Sequence, residues 1–431
     1  MNNRVKSIVV ALLLFSSLLS FAINRDHLRE LNKQAAVFGQ QKDWKSLREV
    51  LIKIGVELGT PTAYQMLRMA SVEARLGNNK AALQWMARYA ATGLTYDAAA
   101  DDDLKPLLAE AGYASIAQVM KRNSEPVTKA EVVCSLPVAD LMPEDLTYDG
   151  ASHTFIVSSV QHHTLYRVSL PKSSGKECHL QELSLDDDVK RWPTFAVSLD
   201  SAHHILWVTA SGFAGAPKED EGKAALFALD SSTGKTLRRF DLQGSSPAVL
   251  GDMTVAPDGT VYVTDSLGGG VYRVHGEVQT AKLEKLADGL FSPQTPVLAK
   301  DGKHLFVADY SVGIAVVDLA SGRVDYLPHP ENIAVTGLDG LHAAGGSLVG
   351  VQNGTEPERI VRLQLNPAQT EITSVEVIEQ GLRIGDPTHA IEVDGMIYVS
   401  ANVGWNKVDD HGALKAGEHF TAPLLLRFAV K

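Results

Sequence analysis

Five residues of this chain, Glu144, Asp252, Gln294, Asp339 and His389, each open an alternating apolar segment. Four more, Asp265, Asp309, Asn353 and Asn402, stand just past the segment that follows. Carboxylates and amides gathered in one place would offer oxygens to a hard cation such as calcium, which takes six to eight of them. A carboxylate there, with Asp339 and Asp252 as candidates, could also accept a proton from an attacking water. His389 lies in Asp386-Pro387-Thr388-His389, and Asn402-Val403-Gly404-Trp405 follows the paired segment. That pattern brings an imidazole, an amide and an indole towards one rim, as candidate substrate contacts beside Asp252. Two plainer readings compete. A His in such a place commonly bonds to a neighbouring element, and Asp after a strand commonly caps a turn. We read Asp265 and Asp309 as caps, and Glu144 and Asp339 as functional.

Residues so far apart meet only if repeated elements bring them together. From residue 127 onward one strand-rich shape recurs six times. Its paired segments are Leu146–Tyr148 with Phe155–Val157, Thr194–Val197 with Leu206–Val208, and Asp252–Val255 with Val261–Val263. The other three are Thr295–Leu298 with Leu305–Val307, Asp339–Leu341 with Leu348–Val349, and Thr388–Ile391 with Ile397–Val399. Unit starts lie roughly 43 to 58 residues apart, about the length of a four-stranded propeller blade. Third strands are expected at Thr164–Val168, Leu226–Leu229, Val271–Val274, Ile314–Val317 and Ile360–Leu363, and Leu424–Val430 closes the sixth unit. The fold class is therefore mainly β, a six-bladed β-propeller over residues 127–431. Ala130–Leu136 is expected to close the ring as the outer strand of the last blade, which removes a free sheet edge. In a propeller the starts of inner strands and the ends of second strands open onto one face around the channel.

Residues 23–125 read as a small α-helical domain. Leu47, Leu51, Ile54 and Leu58 recur at helical spacing between Trp44 and Leu58. Tyr64–Leu76, a Gly77-Asn78-Asn79 turn and Lys80–Tyr89 make a helix pair with small residues at its contacts, which resembles a tetratricopeptide repeat. Asp97–Met120 resembles the ending that follows such repeats. The resemblance implies a surface for a protein partner. An unrelated helical bundle is the plainer alternative.

Residues 1–22 have the parts of a secretory signal: basic Arg4 and Lys6, apolar Ile8–Leu19, and Ser20-Phe21-Ala22 at a cleavage pattern. An exported protein, periplasmic or secreted, is expected, with no membrane insertion after cleavage. Removing that segment takes the formal net charge from −11 to −13. So acidic a surface repels phosphate backbones and anionic lipid, which excludes nucleic acid as a partner. An oxidising compartment permits a disulfide between the two cysteines, Cys134 and Cys178, although spacing does not show that they meet. His162-His163 and His203-His204 are neighbours whose side chains point to opposite sides of a strand, so neither pair chelates. There is no nucleophile elbow, His-Glu-x-x-His or phosphate-binding loop.

Pro143-Glu144-Asp145-Leu146-Thr147-Tyr148-Asp149 resembles the Pro-Glu-Gly opening of the senescence marker protein/gluconolactonase family, which includes regucalcin. Ser292-Pro293-Gln294-Thr295, with Tyr-Val-Ala-Asp-like Phe306-Val307-Ala308-Asp309, resembles that family's Pro-Asn-Gly stretch. Leu338-Asp339-Gly340-Leu341 resembles its Pro-Asp-Gly turn. The resemblance implies a divalent metal, calcium by preference, on Glu144, Gln294 and Asp339. It also implies substrate contact by Asp252 and hydrolysis of a lactone or related ester. Two residues depart from the pattern: Asp145 replaces Gly, and Gln294 is one methylene longer than Asn. A non-catalytic propeller that binds a small molecule or a protein, with the helices as a grip, is the competing function.

Overall fold

The computed structural model describes the chain except residues 1–24, 174–175, 214, 243, 245–246, 382, 410 and 431. The expected signal at 1–22 lies outside the described residues. Helices come first: α1 (Arg25–Gln41), α2 (Trp44–Leu58), α3 (Ala63–Arg75), α4 (Asn79–Ala91) and α5 (Tyr113–Asn123). Asp43 starts α2 by accepting the Ser46 N–H at 3.1 Å, and Thr62 starts α3 by accepting that of Gln65 at 3.1 Å. These caps satisfy amide groups that a first helical turn leaves unpaired. Gly59, at φ 75°, ends α2 in the left-handed region that glycine tolerates. The apolar stripe of α2 buries Leu47, Val50, Leu51 and Ile54 against Leu28, Leu31 and Ala35 of α1. Among the described residues no helix is long and apolar enough to cross a membrane.

Six antiparallel sheets follow, each with at least four strands, and they form the six-bladed β-propeller. All five expected third strands are present. Closure occurs where it was expected: Glu131–Ser135 pairs with Leu424–Ala429 as the fourth strand of the last blade. Two short additions were not foreseen. Val127–Thr128 extends the fifth blade beside Glu379 and Gln380, and Lys176–Glu177 runs parallel to the closing strand. Cys134 on the closing strand is bonded to Cys178, 44 residues on, so the disulfide ties the sixth blade to the first. Closing a loop of that length restricts the unfolded chain by roughly 4 kcal/mol on the chain-entropy account.

The helices rest on the loops of the fourth and fifth blades. The Tyr64 hydroxyl donates to the Gly354 carbonyl at 2.6 Å, and Arg88 pairs with Glu331 at 2.5 Å. Arg359, buried at 1% exposure, donates to Gln352 at 2.7 Å and to the Gly93 carbonyl at 3.3 Å. An arginine taken this far from water needs such acceptors to offset its desolvation.

Candidate active site at the channel mouth

Each inner strand begins in the same way. In four blades the ladder slips by one residue at the start, between Thr194 and Val197, Leu250 and Met253, Pro293 and Pro296, and Leu338 and Leu341. The extra residue on the inner strand is a β-bulge, which re-aims side chains at a sheet's rim. The first regular pairs then involve Leu146, Val197, Met253, Pro296, Leu341 and Ala390. Two rings follow from this register. The residue immediately before those positions is Asp145, Ala196, Asp252, Thr295, Gly340 or His389. The residue before that is Glu144, Phe195, Gly251, Gln294, Asp339 or Thr388.

The first ring stitches blades together. His389 meets Asp252 at Nε2, 2.5 Å away on the third blade, and Thr295 at the same nitrogen, 2.9 Å away on the fourth. Its Nδ1 bonds to the Glu144 carbonyl at 2.8 Å, in the first blade. Burial opposes a charge on this imidazole, but the carboxylates of Asp252, Asp145 and Asp339 outweigh it and raise its pKa well above the usual value. His389 is thus an imidazolium with both nitrogens occupied. Thr295 also donates to the Asp339 carbonyl at 2.9 Å. Asp145, the residue that departs from the family's glycine, accepts the Val197 N–H at 2.9 Å and so locks the first blade to the second. Burial raises its carboxyl to about 6, held down in part by His389.

The second ring is different. Its acids take their partners from loops, one each: the Trp405 indole N–H donates to Glu144 Oε2 at 2.5 Å, and the Asn353 amide donates to Asp339 Oδ2 at 2.6 Å. Tyr310 fixes Asn353 by donating to its Oδ1 at 3.0 Å. Phe195 lies nearly parallel to Trp405, ring centroids 6.3 Å apart. Burial and then the negative charge of Asp339 push the Glu144 carboxyl well above the ordinary glutamate range. Burial and the charge of Asp252 raise Asp339 to about 7. These two carboxyls therefore share one rim, and the charge of Asp339 opposes the ionisation of Glu144.

Gln294 occupies the same register position on the fourth blade, where its amide donates to Ser292 at 3.1 Å. Asn402 is drawn away from the mouth: its amide ties the 402–422 loop together through Thr421 at 2.7 Å and Ala422 at 2.8 Å. Asp265 and Asp309 are caps. Asp265 accepts the N–H groups of Val249, Leu267 and Gly268, and Asp309 those of Phe291 and Ser292 together with the Tyr326 hydroxyl.

Calcium is the cation the resemblance implies. Among the described residues, no three His, Cys, Asp or Glu side chains are grouped so that they could hold a metal ion. Glu144, Gln294 and Asp339 share a ring, but they bring two carboxylates and one amide, each already hydrogen-bonded. That donor set leaves the rest of a calcium centre's six to eight oxygens to water.

Sequence reasoning singled out Glu144, Asp339, Asp252 and His389, and the structure brings them together. Tyr310 and Asp145 were missed as site residues. A buried Asp beside a candidate acid was the available signal for Asp145, whereas nothing in the chain order pointed to Tyr310.

No family model matches this chain, and neither does any curated protein. Among solved structures it is similar to an oxidoreductase (glucose dehydrogenase) of Thermus thermophilus, at 16% identity and a TM-score of 0.47, over 69% of this chain and 98% of that one. It is similar to regucalcin, a calcium-binding protein of Agrobacterium tumefaciens, at 16% identity and a TM-score of 0.47, over 69% and 92%. The PQQ-bound aldose sugar dehydrogenase of Streptomyces coelicolor matches at 14% identity and a TM-score of 0.46, over 70% and 98%. The likeness is one of fold. The proteins that share it differ in activity, so it does not choose a chemistry for this mouth.

Proposed function

We propose that the channel mouth binds a small polar molecule and hydrolyses it, the substrate being a lactone or a related ester. The observation that carries this reading is the pairing of Glu144 and Asp339, two buried carboxyls on one rim whose pKa values are both raised. Groups whose pKa values are pushed apart by such an environment can divide acid and base roles between them. Asp339, at about 7, is poised to accept a proton from water near neutral pH. Glu144, whose ionisation is opposed by burial and by the charge of Asp339, is the acid: it donates a hydrogen bond to the carbonyl oxygen and then gives its proton to the departing ring oxygen. Water's oxygen bonds to the acyl carbon, the ring C–O bond breaks, and a hydroxy acid leaves. The proton on Asp339 returns to Glu144 through solvent. Asp252 and His389 act one layer below as positioning residues, because both His389 nitrogens and Asp252 Oδ1 are engaged in blade-to-blade bonds.

We further read the protein as exported. The basic and apolar composition of residues 1–22 supports this, as does a disulfide suited to an oxidising compartment. The helices, with their tetratricopeptide-like sequence, are read as an added binding module. The test is hydrolysis of a lactone panel by the full chain, by Glu144→Gln and by Asp339→Asn, each with added calcium and with chelator. Loss of turnover in both variants, indifferent to chelator, supports the acid–base pair. Turnover that requires calcium would return the cation to Glu144, Gln294 and Asp339. Lactone binding without turnover would make the propeller a binding protein.

A further inference from the structure

A second cavity, of about 230 Å3, lies between the helices and the propeller, apart from the channel. Leu51 and Leu58 of α2 and Phe291 of the fourth blade give it an apolar body, and Gln65, Arg68 and Ser311 supply polar groups. Two of these side chains leave a polar atom without a partner. Arg68 is exposed where the cavity meets solvent and makes no ion pair or hydrogen bond among the described residues. Its charge is left open in a chain of net charge −11. The protein packed beside its stem desolvates Arg68 in part and lowers its pKa, a cost that an anion would offset. Gln65 is 5% exposed and donates to the Leu51 carbonyl at 2.5 Å. Its Oε1 is buried with no hydrogen-bond partner, and a buried acceptor left unsatisfied carries a penalty. Arg29 and Arg25 of α1 sit on the same side of the propeller, bonded to the carbonyls of Leu290 and Asp288. The cavity lining is therefore apolar with one open positive charge, that of Arg68.

We propose that this cavity binds a medium-chain carboxylic acid. Its carboxylate pairs with Arg68, and its chain lies among Leu51, Leu58 and Phe291. The size agrees: pockets for drug-sized ligands run from ~300 to ~1,000 Å3, so this one suits a smaller molecule. A guanidinium matches a carboxylate in geometry as well as in charge. The proposal is independent of hydrolysis at the channel mouth, since it concerns binding alone.

Calorimetry on the full chain with 8-hydroxyoctanoate, octanoate and octan-1-ol tests it. Octanoate binds roughly tenfold tighter than the alcohol, as expected for one charge-assisted hydrogen bond in place of a neutral one, and 8-hydroxyoctanoate binds no tighter than octanoate. Arg68→Gln brings octanoate down to the affinity of the alcohol, while Glu144→Gln leaves all three affinities unchanged. Ser311→Phe, which fills the cavity from the propeller side, weakens all three and guards against an indirect effect of the Arg68 change. Octanoate affinity indifferent to Arg68→Gln, equal affinity for octanoate and octan-1-ol, or no binding by any probe overturns the proposal.

Discussion

The two rings at the channel mouth are one residue apart in sequence and opposite in use. In the stitching ring, Asp145, Asp252, Thr295 and His389 give their polar atoms to the main chain or side chains of other blades. In the mouth ring, Glu144 and Asp339 each take one N–H from a loop side chain, so one oxygen apiece stays out of those bonds. Asp252 is 2% exposed and His389 4%, against 9% for Glu144 and 8% for Asp339. The difference teaches that a buried acid is not by itself a reactive one. What counts is the partner: Asp252 also keeps one oxygen out of hydrogen bonds, but its charge is paired with the His389 cation.

The largest expected effect separates the rings by activity. Glu144→Gln and Asp339→Asn should each lower lactone turnover by ~10²- to 10⁴-fold, the usual worth of a general acid or base. Their melting temperatures should hold or rise, because each change removes a buried carboxyl whose ionised form burial disfavours; steady-state kinetics and a thermal melt read both. A melt that collapsed would move these acids into the stitching ring. Next comes His389→Ala, which strips the cation from buried Asp252. Breaking a buried pair from one side costs about 3–5 kcal/mol, so denaturant unfolding should show a loss of that order. A stable variant that merely loses activity would promote His389 to the mouth ring.

A smaller effect sharpens the comparison through pH. Asp339 keeps its proton up to about 7 when folded, well above its value in an unfolded chain. Between roughly pH 4 and 7 the unfolded chain has released this proton and the folded protein retains it. Its contribution to stability is therefore complete at the acid end and lost as pH rises through 7. Melts from pH 4 to 8 should show a downward slope that Asp339→Asn flattens, and parallel curves would contradict the raised carboxyl. The smallest effect is at Trp405. Trp405→Phe keeps the ring beside Phe195 but drops the N–H on Glu144, about 1 kcal/mol for a single hydrogen bond, or several-fold in turnover.

Much of this was legible in the chain. The repeated units, the closing strand and five third strands could be read because a two-residue period and a recurring turn are local signals. The capping role of Asp265 and Asp309 was legible for the same reason, since the N–H groups they accept lie within a few residues or in the paired strand's start. Tyr310 acts on Asp339 only through Asn353, and Asp145 acts on Val197 only across a blade boundary. Neither contact leaves a trace in spacing.

By itself the sequence determined that six strand-rich units follow a helical region, and which acids stand at the starts of their inner strands. Hydrophobic period and turn residues act over a few positions, and that was enough. Only the closed ring decided which of those acids face one another and which are spent in holding blades together. That choice rests on the register at the start of each inner strand, which sets whether a side chain meets the next blade or the channel mouth.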